Sequence, residues 1–182
     1  MKTFETLSRR LVLDLGPRLR VESRRVKAPD GRIIDDWPWI VSRDYVIVLA
    51  RMRDRKFLVF RQTKYALDGE SSLAPVGGYI EAEEPPLEAA RRELLEETGC
   101  QAAAWQSLGS FRVDGNNASA AAHFFVAEGA VKTTEPHSDD LEEQEVLYLD
   151  GEELKAAVLG GQFKVLAWSA AVSLALLGVA GT

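Results

Sequence analysis

Residues 78–100 read GYIEAEEPPLEAARRELLEETGC, and the chain's architecture is read outward from the spacing within this stretch. Gly78, Glu84, Arg92, Glu93, Glu96, Glu97 and Gly99 stand at fixed intervals, a coincidence expected by chance on the order of 10⁻⁸ per starting point at ordinary residue frequencies. Leu87, Ala90 and Leu94 recur at helical spacing and can face a core, while Glu96 and Glu97 stand three and four residues after Glu93, along one side. Pro85 and Pro86 suit a helix entry, and Gly99 suits the left-handed stop after Thr98.

Carboxylates stacked at these offsets, with Cβ atoms ~5–6 Å apart, repel one another unless a cation lies between them. Oxygen-only ligands suit hard Mg²⁺, with Mn²⁺ as a substitute, and Mg²⁺ usually keeps waters and binds substrate phosphates. The stretch therefore predicts a phosphate-bearing substrate. A plain surface helix, its glutamates solvated and Arg92 paired to Glu88 or Glu96, is the competing reading. The glycines in register argue against it, since Gly77 and Gly78 let backbone approach an ion with no Cβ in the way.

Composition bounds the rest. A chain of 182 residues, 46% hydrophobic, can bury a proper core. Its formal charge of −6 argues against a general nucleic-acid binder, because a phosphate backbone would meet net repulsion. One cysteine, Cys100, excludes an intramolecular disulfide and fits a reducing compartment as a core thiol. The first residues, MKTFETLSRRLVLDLG, lack the apolar run of a secretory signal, so the cytoplasm is the expected location. Val165 to Ala180 is apolar but Ala- and Ser-rich and shorter than the ~20 residues of a membrane span, so it is read as a buried terminal helix and no membrane association is expected.

Along the chain, Arg20 to Lys27, the turn Pro29-Asp30-Gly31 and Arg32 to Asp35 predict an N-terminal hairpin. Tyr45 to Ala50 and Phe57 to Phe60 predict central strands. Trp105 to Val113 and Ala120 to Ala127, split by Asp114-Gly115-Asn116-Asn117, predict a second hairpin. An acidic stretch from Glu135 to Glu143 leads to a strand over Val146 to Leu149. Asp150 with Glu153 then forms a capping-box start for a helix ending near Gly160 and Gly161, and a last helix begins near Phe163. This divides the chain into a hairpin region, 1–38, and a main domain, 39–182. Trp37 and Trp39, after the first hairpin, can stack a nucleobase or serve a core or subunit contact. His123 reads as structural.

The 78–100 stretch resembles the Nudix box: Gly, five residues, Glu, seven residues, then Arg-Glu-apolar-x-Glu-Glu-x-Gly-apolar, with Cys100 in the last apolar slot. The resemblance implies an α/β/α sandwich on a mixed sheet and hydrolysis of a nucleoside diphosphate linked to another moiety. It implies Glu93, Glu96 and Glu97 as metal ligands, the Gly77 carbonyl as a further one, and Arg92 as the residue that orients a neighbouring glutamate. Where many members have Pro-Gly before the first glutamate, this chain has Ala82-Glu83.

The order of elements is similar to the ADP-ribose and nucleoside-diphosphate-sugar pyrophosphatases of that family, including the segment Arg61-Gln62-Thr63-Lys64-Tyr65 and the Leu73-Ala74-Pro75-Val76-Gly77-Gly78 entry. Two departures are Leu73, where that subgroup often has Glu, and the lack of a proline within residues 101–130. This resemblance implies a general base on the loop before the Val146 strand, Glu142 first, with Asp140, Glu143 and Glu145 as alternatives. It implies Lys64, then Arg61, for the phosphates, ADP-ribose or a nucleotide sugar as the substrate, and a homodimer built with the N-terminal hairpin. The alternatives are a nucleoside triphosphate or dinucleotide polyphosphate hydrolase and, in another class, a nucleotide-sugar-binding module without catalysis.

Overall fold

The computed structural model describes residues 1–137 and 143–179. In chain order its elements are β1 (Glu5–Asp14), β2 (Leu19–Lys27), β3 (Ile33–Ser42), β4 (Tyr45–Met52), β5 (Phe57–Thr63), a 3₁₀ turn (Tyr65–Leu67), β6 (Ser71–Ala74), β7 (Val76–Tyr79), α1 (Pro86–Thr98), β8 (Cys100–Gln101), β9 (Ala104–Asp114), β10 (Ala118–Lys132), β11 (Gln144–Leu149), α2 (Gly151–Leu159) and α3 (Leu166–Val179). No helix among the described residues is long and apolar enough to cross a membrane.

Two compact units divide this chain: Met1–Asp44 with Phe111–Ala121, and Tyr45–Ser110 with Ala122–Thr182. In the first, β1, β2 and β3 form an antiparallel meander, and the first residues of β10 join β3 in parallel at Ala118–Ile40 and Ser119–Val41. Its interior is small. Val26, Ala28 and Ala120 are buried, and the Arg24 guanidinium lies 3.7 Å over the Trp39 ring while pairing with Glu22 at 2.7 Å. The sequence pattern gives no sign of β1, because all ten of its residues are exposed and no inside-outside alternation marks it.

The second unit holds a mixed sheet. β10 runs parallel to β4, β5 runs antiparallel to β4, and β11 closes antiparallel on β5. β7 pairs with the start of β4, and β6 with the end of β5. Side chains alternate between the two faces. Val46, Val48, Ala50, Leu58 and Phe60 pack with Ala89, Ala90 and Leu94 of α1. Leu49, Phe57 and Val59 pack with Leu154 and Ala157 of α2 and with Val172 and Ala175 of α3. Helices thus cover both faces, as the α/β/α expectation requires. Cys100 is buried beside α1.

Local chemistry explains the ends of the helices. Pro86 opens α1, and Gly99, at φ +70°, closes it by donating its N–H to the Leu95 carbonyl at 2.8 Å. A Cβ at Gly99 would overlap the Thr134 carbonyl, so only glycine fits. Asp150 Oδ1 accepts from the N–H groups of Glu152 and Glu153 at 2.9 and 2.8 Å, and Glu153 Oε2 accepts from the Asp150 N–H at 2.8 Å. This is the complete capping box its sequence predicts. α3 begins at Leu166 and not near Phe163, whose carbonyl accepts instead from Ser169 Oγ at 2.6 Å.

Candidate active site

The site is built on α1 and the strand that precedes it. Ala89, Ala90 and Leu94 anchor α1 in the core. The face that carries Glu93, Glu96 and Glu97 is thereby turned toward β7 and the turn after it, where the functional side chains find their partners.

Arg92 organises that face. Its Nε and Nη2 donate to Glu84 Oε1 and Oε2 at 2.9 and 3.0 Å, a two-point fork. Nη1 donates to Glu93 Oε1 at 2.8 Å and to Glu96 Oε2 at 3.1 Å, and Nη2 also donates to the Tyr79 carbonyl at 3.0 Å. The Arg92 fork holds the Glu84 carboxyl below the usual carboxylate range. The same carboxylates, Glu84 first, push the guanidinium further above its ordinary value. Arg92 therefore stays charged and is held by Glu84, Glu93, Glu96 and the Tyr79 carbonyl.

Glycines bring the strand against these carboxylates. A Cβ on Gly78 would overlap the Glu93 carboxylate, and Glu97 Oε2 accepts from the Gly77 N–H at 3.3 Å. The donor set is all oxygen and anionic, with backbone packed close beside it, and this chemistry fits a hard divalent cation. Among the described residues no three carboxylate, imidazole or thiol groups are grouped so as to hold one metal ion. Arg92 draws Glu93 and Glu96 to itself. In the Ala82-Glu83 turn, Glu83 adopts φ +63°, the Glu84 N–H donates to the Glu81 carbonyl at 3.2 Å, and the Glu81 N–H donates to Glu84 Oε2 at 3.0 Å.

A cavity of about 240 Å³ opens beside this set, with Gly77, Gly78, Glu97 and Lys64 in its lining. Lys64 and Glu97 thus line one cavity. Arg61 does not line this cavity. Its neighbours Phe60 and Gln62 are buried, and Arg61 itself faces outward in an exposed ion pair with Glu145 at 2.8 Å. Glu145 is accordingly engaged with Arg61, and Glu143 is exposed. Asp140 and Glu142 lie outside the described residues. Trp37 belongs to the other unit, where its Nε1–H donates to the Asn116 carbonyl at 2.8 Å and its ring meets Phe4 at 5.5 Å. His123 Nδ1 is bonded to Ser110 Oγ at 2.7 Å, a structural arrangement.

The cavity also contains residues the sequence reading passes over: Gln62, Tyr45, Tyr79 and Trp168. Tyr45 and Tyr79 are cross-strand partners on β4 and β7, and burial, with Tyr79 close by, pushes the Tyr45 hydroxyl up. Strand alternation from the buried Phe60 could have placed Gln62 inward. The tyrosine pair depends on a register between strands that local sequence does not reveal.

Comparison with known proteins agrees with this geometry. A crystal structure of an ADP compounds hydrolase superposes with a TM-score of 0.83 at 18% identity, covering 100% of this chain and 96% of that one. At that identity the likeness shows the fold. No curated protein matches the chain. The NUDIX domain matches residues 41–169, which include the box, the Arg92 clamp and the strands that face them. Members of the family generally use divalent metal ions and act on small nucleotide derivatives. The chain therefore belongs to the NUDIX domain family, as a Nudix pyrophosphohydrolase.

Proposed function

We propose that the protein hydrolyses the pyrophosphate bond of a nucleoside diphosphate joined to a sugar, ADP-ribose or a nucleotide sugar, with Mg²⁺, giving a nucleoside monophosphate and a sugar phosphate. The observation that carries this reading is the single carboxylate face of α1, held by Arg92 and pressed against Gly77 and Gly78. The ADP compounds hydrolase whose fold the chain shares adds support for an adenosine diphosphate derivative.

In this reading Glu93, Glu96, Glu97 and the Gly77 carbonyl hold the cation, with Mn²⁺ as a substitute. When bound, it supplies positive charge to the phosphate oxygens and acidifies water. Lys64, at the cavity wall, neutralises charge as the bridging P–O bond breaks. The water oxygen bonds to phosphorus, its proton passes to Glu142, and the bridging oxygen leaves on the second phosphate. Arg92 keeps Glu93 and Glu96 aligned throughout. Arg61 and Trp37 take lesser parts, because Arg61 is committed to Glu145 and the Trp37 indole to Asn116.

The hairpin region, 1–38, serves a homodimer contact in this reading, supported by the fully exposed β1, with Leu11 and Val12 in it, and by the exposed Phe4 just before it. The buried Cys100 suits a reducing, cytoplasmic setting.

The deciding experiment incubates the protein and Mg²⁺ with ADP-ribose, ADP- and GDP-sugars, dinucleotides and nucleoside triphosphates, and identifies the products by mass. Cleavage confined to triphosphates or dinucleotide polyphosphates sinks the sugar reading. Turnover of none, with retained binding, points to a binding module. Glu96→Gln or Glu97→Gln should lower turnover by orders of magnitude with the fold intact.

A further inference from the structure

One buried side chain beside the carboxylate face has an unmet hydrogen-bonding atom. Gln62 is 6% exposed, and its Oε1 is buried with no hydrogen-bond partner. Its place on β5 puts it in the cavity that Gly77, Gly78, Glu97 and Lys64 also line. An enclosed polar atom left unpaired keeps the full penalty of its desolvation. Native structures therefore seldom keep one unless a ligand or water completes it.

The chemistry of the missing partner can be narrowed. Oε1 is an acceptor, so it needs a donor. Ionised phosphate oxygens are acceptors too, and the diphosphate cannot satisfy it. With a volume of about 240 Å³, the cavity falls below the roughly 300–1,000 Å³ of sites that enclose a whole drug-sized ligand. On the function proposed above, it has room for one part of a nucleoside diphosphate derivative. With Lys64 and the carboxylate face engaged by the diphosphate, the part left to reach Gln62 is a group bonded to that diphosphate.

We propose that Gln62 Oε1 accepts a hydrogen bond from a hydroxyl of the sugar joined to the nucleoside diphosphate, so that Gln62 separates sugar-bearing substrates from simple phosphate esters. The proposal rests on the function above for the placement of the diphosphate. It adds a specificity-determining contact outside the metal-directed residues.

The test measures binding by calorimetry without added metal, using ADP-ribose and the methyl ester of ADP at the β-phosphate, which lacks the sugar hydroxyls. Wild-type protein should prefer ADP-ribose. Gln62→Met, close in volume, should weaken ADP-ribose about tenfold and leave the methyl ester unchanged, one hydrogen bond's loss. Gln62→Glu keeps an acceptor oxygen, so it should weaken both ligands through its charge yet retain their ratio. It also serves if the methionine variant fails to fold, which thermal unfolding reports. Equal weakening of both ligands by Gln62→Met overturns the assignment, as does unchanged ADP-ribose affinity. So does a wild-type protein that shows no preference or binds neither ligand. Product analysis runs separately: a binding preference without cleavage sinks the hydrolase reading and leaves this contact standing.

Discussion

Arg92 and Glu84 are joined by two parallel hydrogen bonds, at 2.9 and 3.0 Å, between α1 and the turn that leads into it. The pair lies eight residues apart in sequence, and its fork ties the middle of α1 to the turn before it, while Nη2 also reaches the Tyr79 carbonyl at the end of β7. The same guanidinium reaches Glu93 and Glu96, so it acts as the resident cation of a crowded anionic face. The stability of the fold and the charge balance of this face are therefore coupled.

Removing the guanidinium tests that coupling. Arg92→Ala leaves Glu84 and Glu93, both mostly buried, without their charged partner. It should cost about 1–3 kcal/mol, which for a chain of this size lowers Tm by about 2–4 °C per kcal/mol. A divalent cation can stand in for the lost charge. Thermal unfolding with Mg²⁺ and with a chelator should then differ more in the variant than in wild type. Equal differences in the two proteins refute the view of Arg92 as the resident cation.

Acid stability follows from Glu84. Arg92 holds its carboxyl below the ordinary value of 4.5, so the folded state binds this proton less readily than the unfolded chain. The contribution is full above pH 4.5 and is lost as pH falls through the depressed folded value. Wild type should lose stability across that acid window. Glu84→Gln should be less stable at neutral pH and show a shallower fall below pH 4.5 in denaturant titrations. Parallel curves for the two proteins contradict the assignment.

Gly78→Ala probes the packing between strand and carboxylate. The added Cβ overlaps the Glu93 carboxylate, so that side chain or β7 must move. Overpacking of this kind costs about 1–3 kcal/mol. A displacement of about 1 Å at a catalytic group can cost about 100-fold in rate. Turnover should fall by about that factor while most of the protein stays folded, as circular dichroism would show. Unchanged kcat would mean that Glu93 has room to turn aside without loss.

What could be read from the sequence was local. Pro86, Gly99 and the Asp150–Glu153 box mark helix ends because each acts on backbone groups within a turn of itself. The carboxylate face of α1 follows from the helical repeat alone. Arg61 and Gln62 were separable by alternation from Phe60, yet their different fates depend on Glu145 across the sheet and on the cavity beneath. The pairing of Tyr45 with Tyr79 rests on the register of β4 against β7, set by Gly77 and Gly78 lying opposite Ile47 and Val46. β1 was illegible for another reason: an exposed strand has no buried face to impose a period.

The turn before Glu84 supplies a final prediction. Ala82-Glu83 keeps the hydrogen bonds of a tight turn only by placing Glu83, an exposed residue with a Cβ, at φ +63°. That conformation costs a non-glycine residue roughly 1–2 kcal/mol. Glycine there escapes the penalty but gives up about 0.5–1 kcal/mol through the freedom of the unfolded chain. Glu83→Gly should therefore raise stability by about 0.5 kcal/mol, and because Arg92 holds Glu84, Glu93 and Glu96 but not the exposed Glu83 side chain, kcat should be unchanged. Paired denaturant titrations at neutral pH resolve such a difference through the transition midpoint. A lower midpoint would mean that the Glu83 side chain makes a stabilising interaction larger than the strain of its backbone.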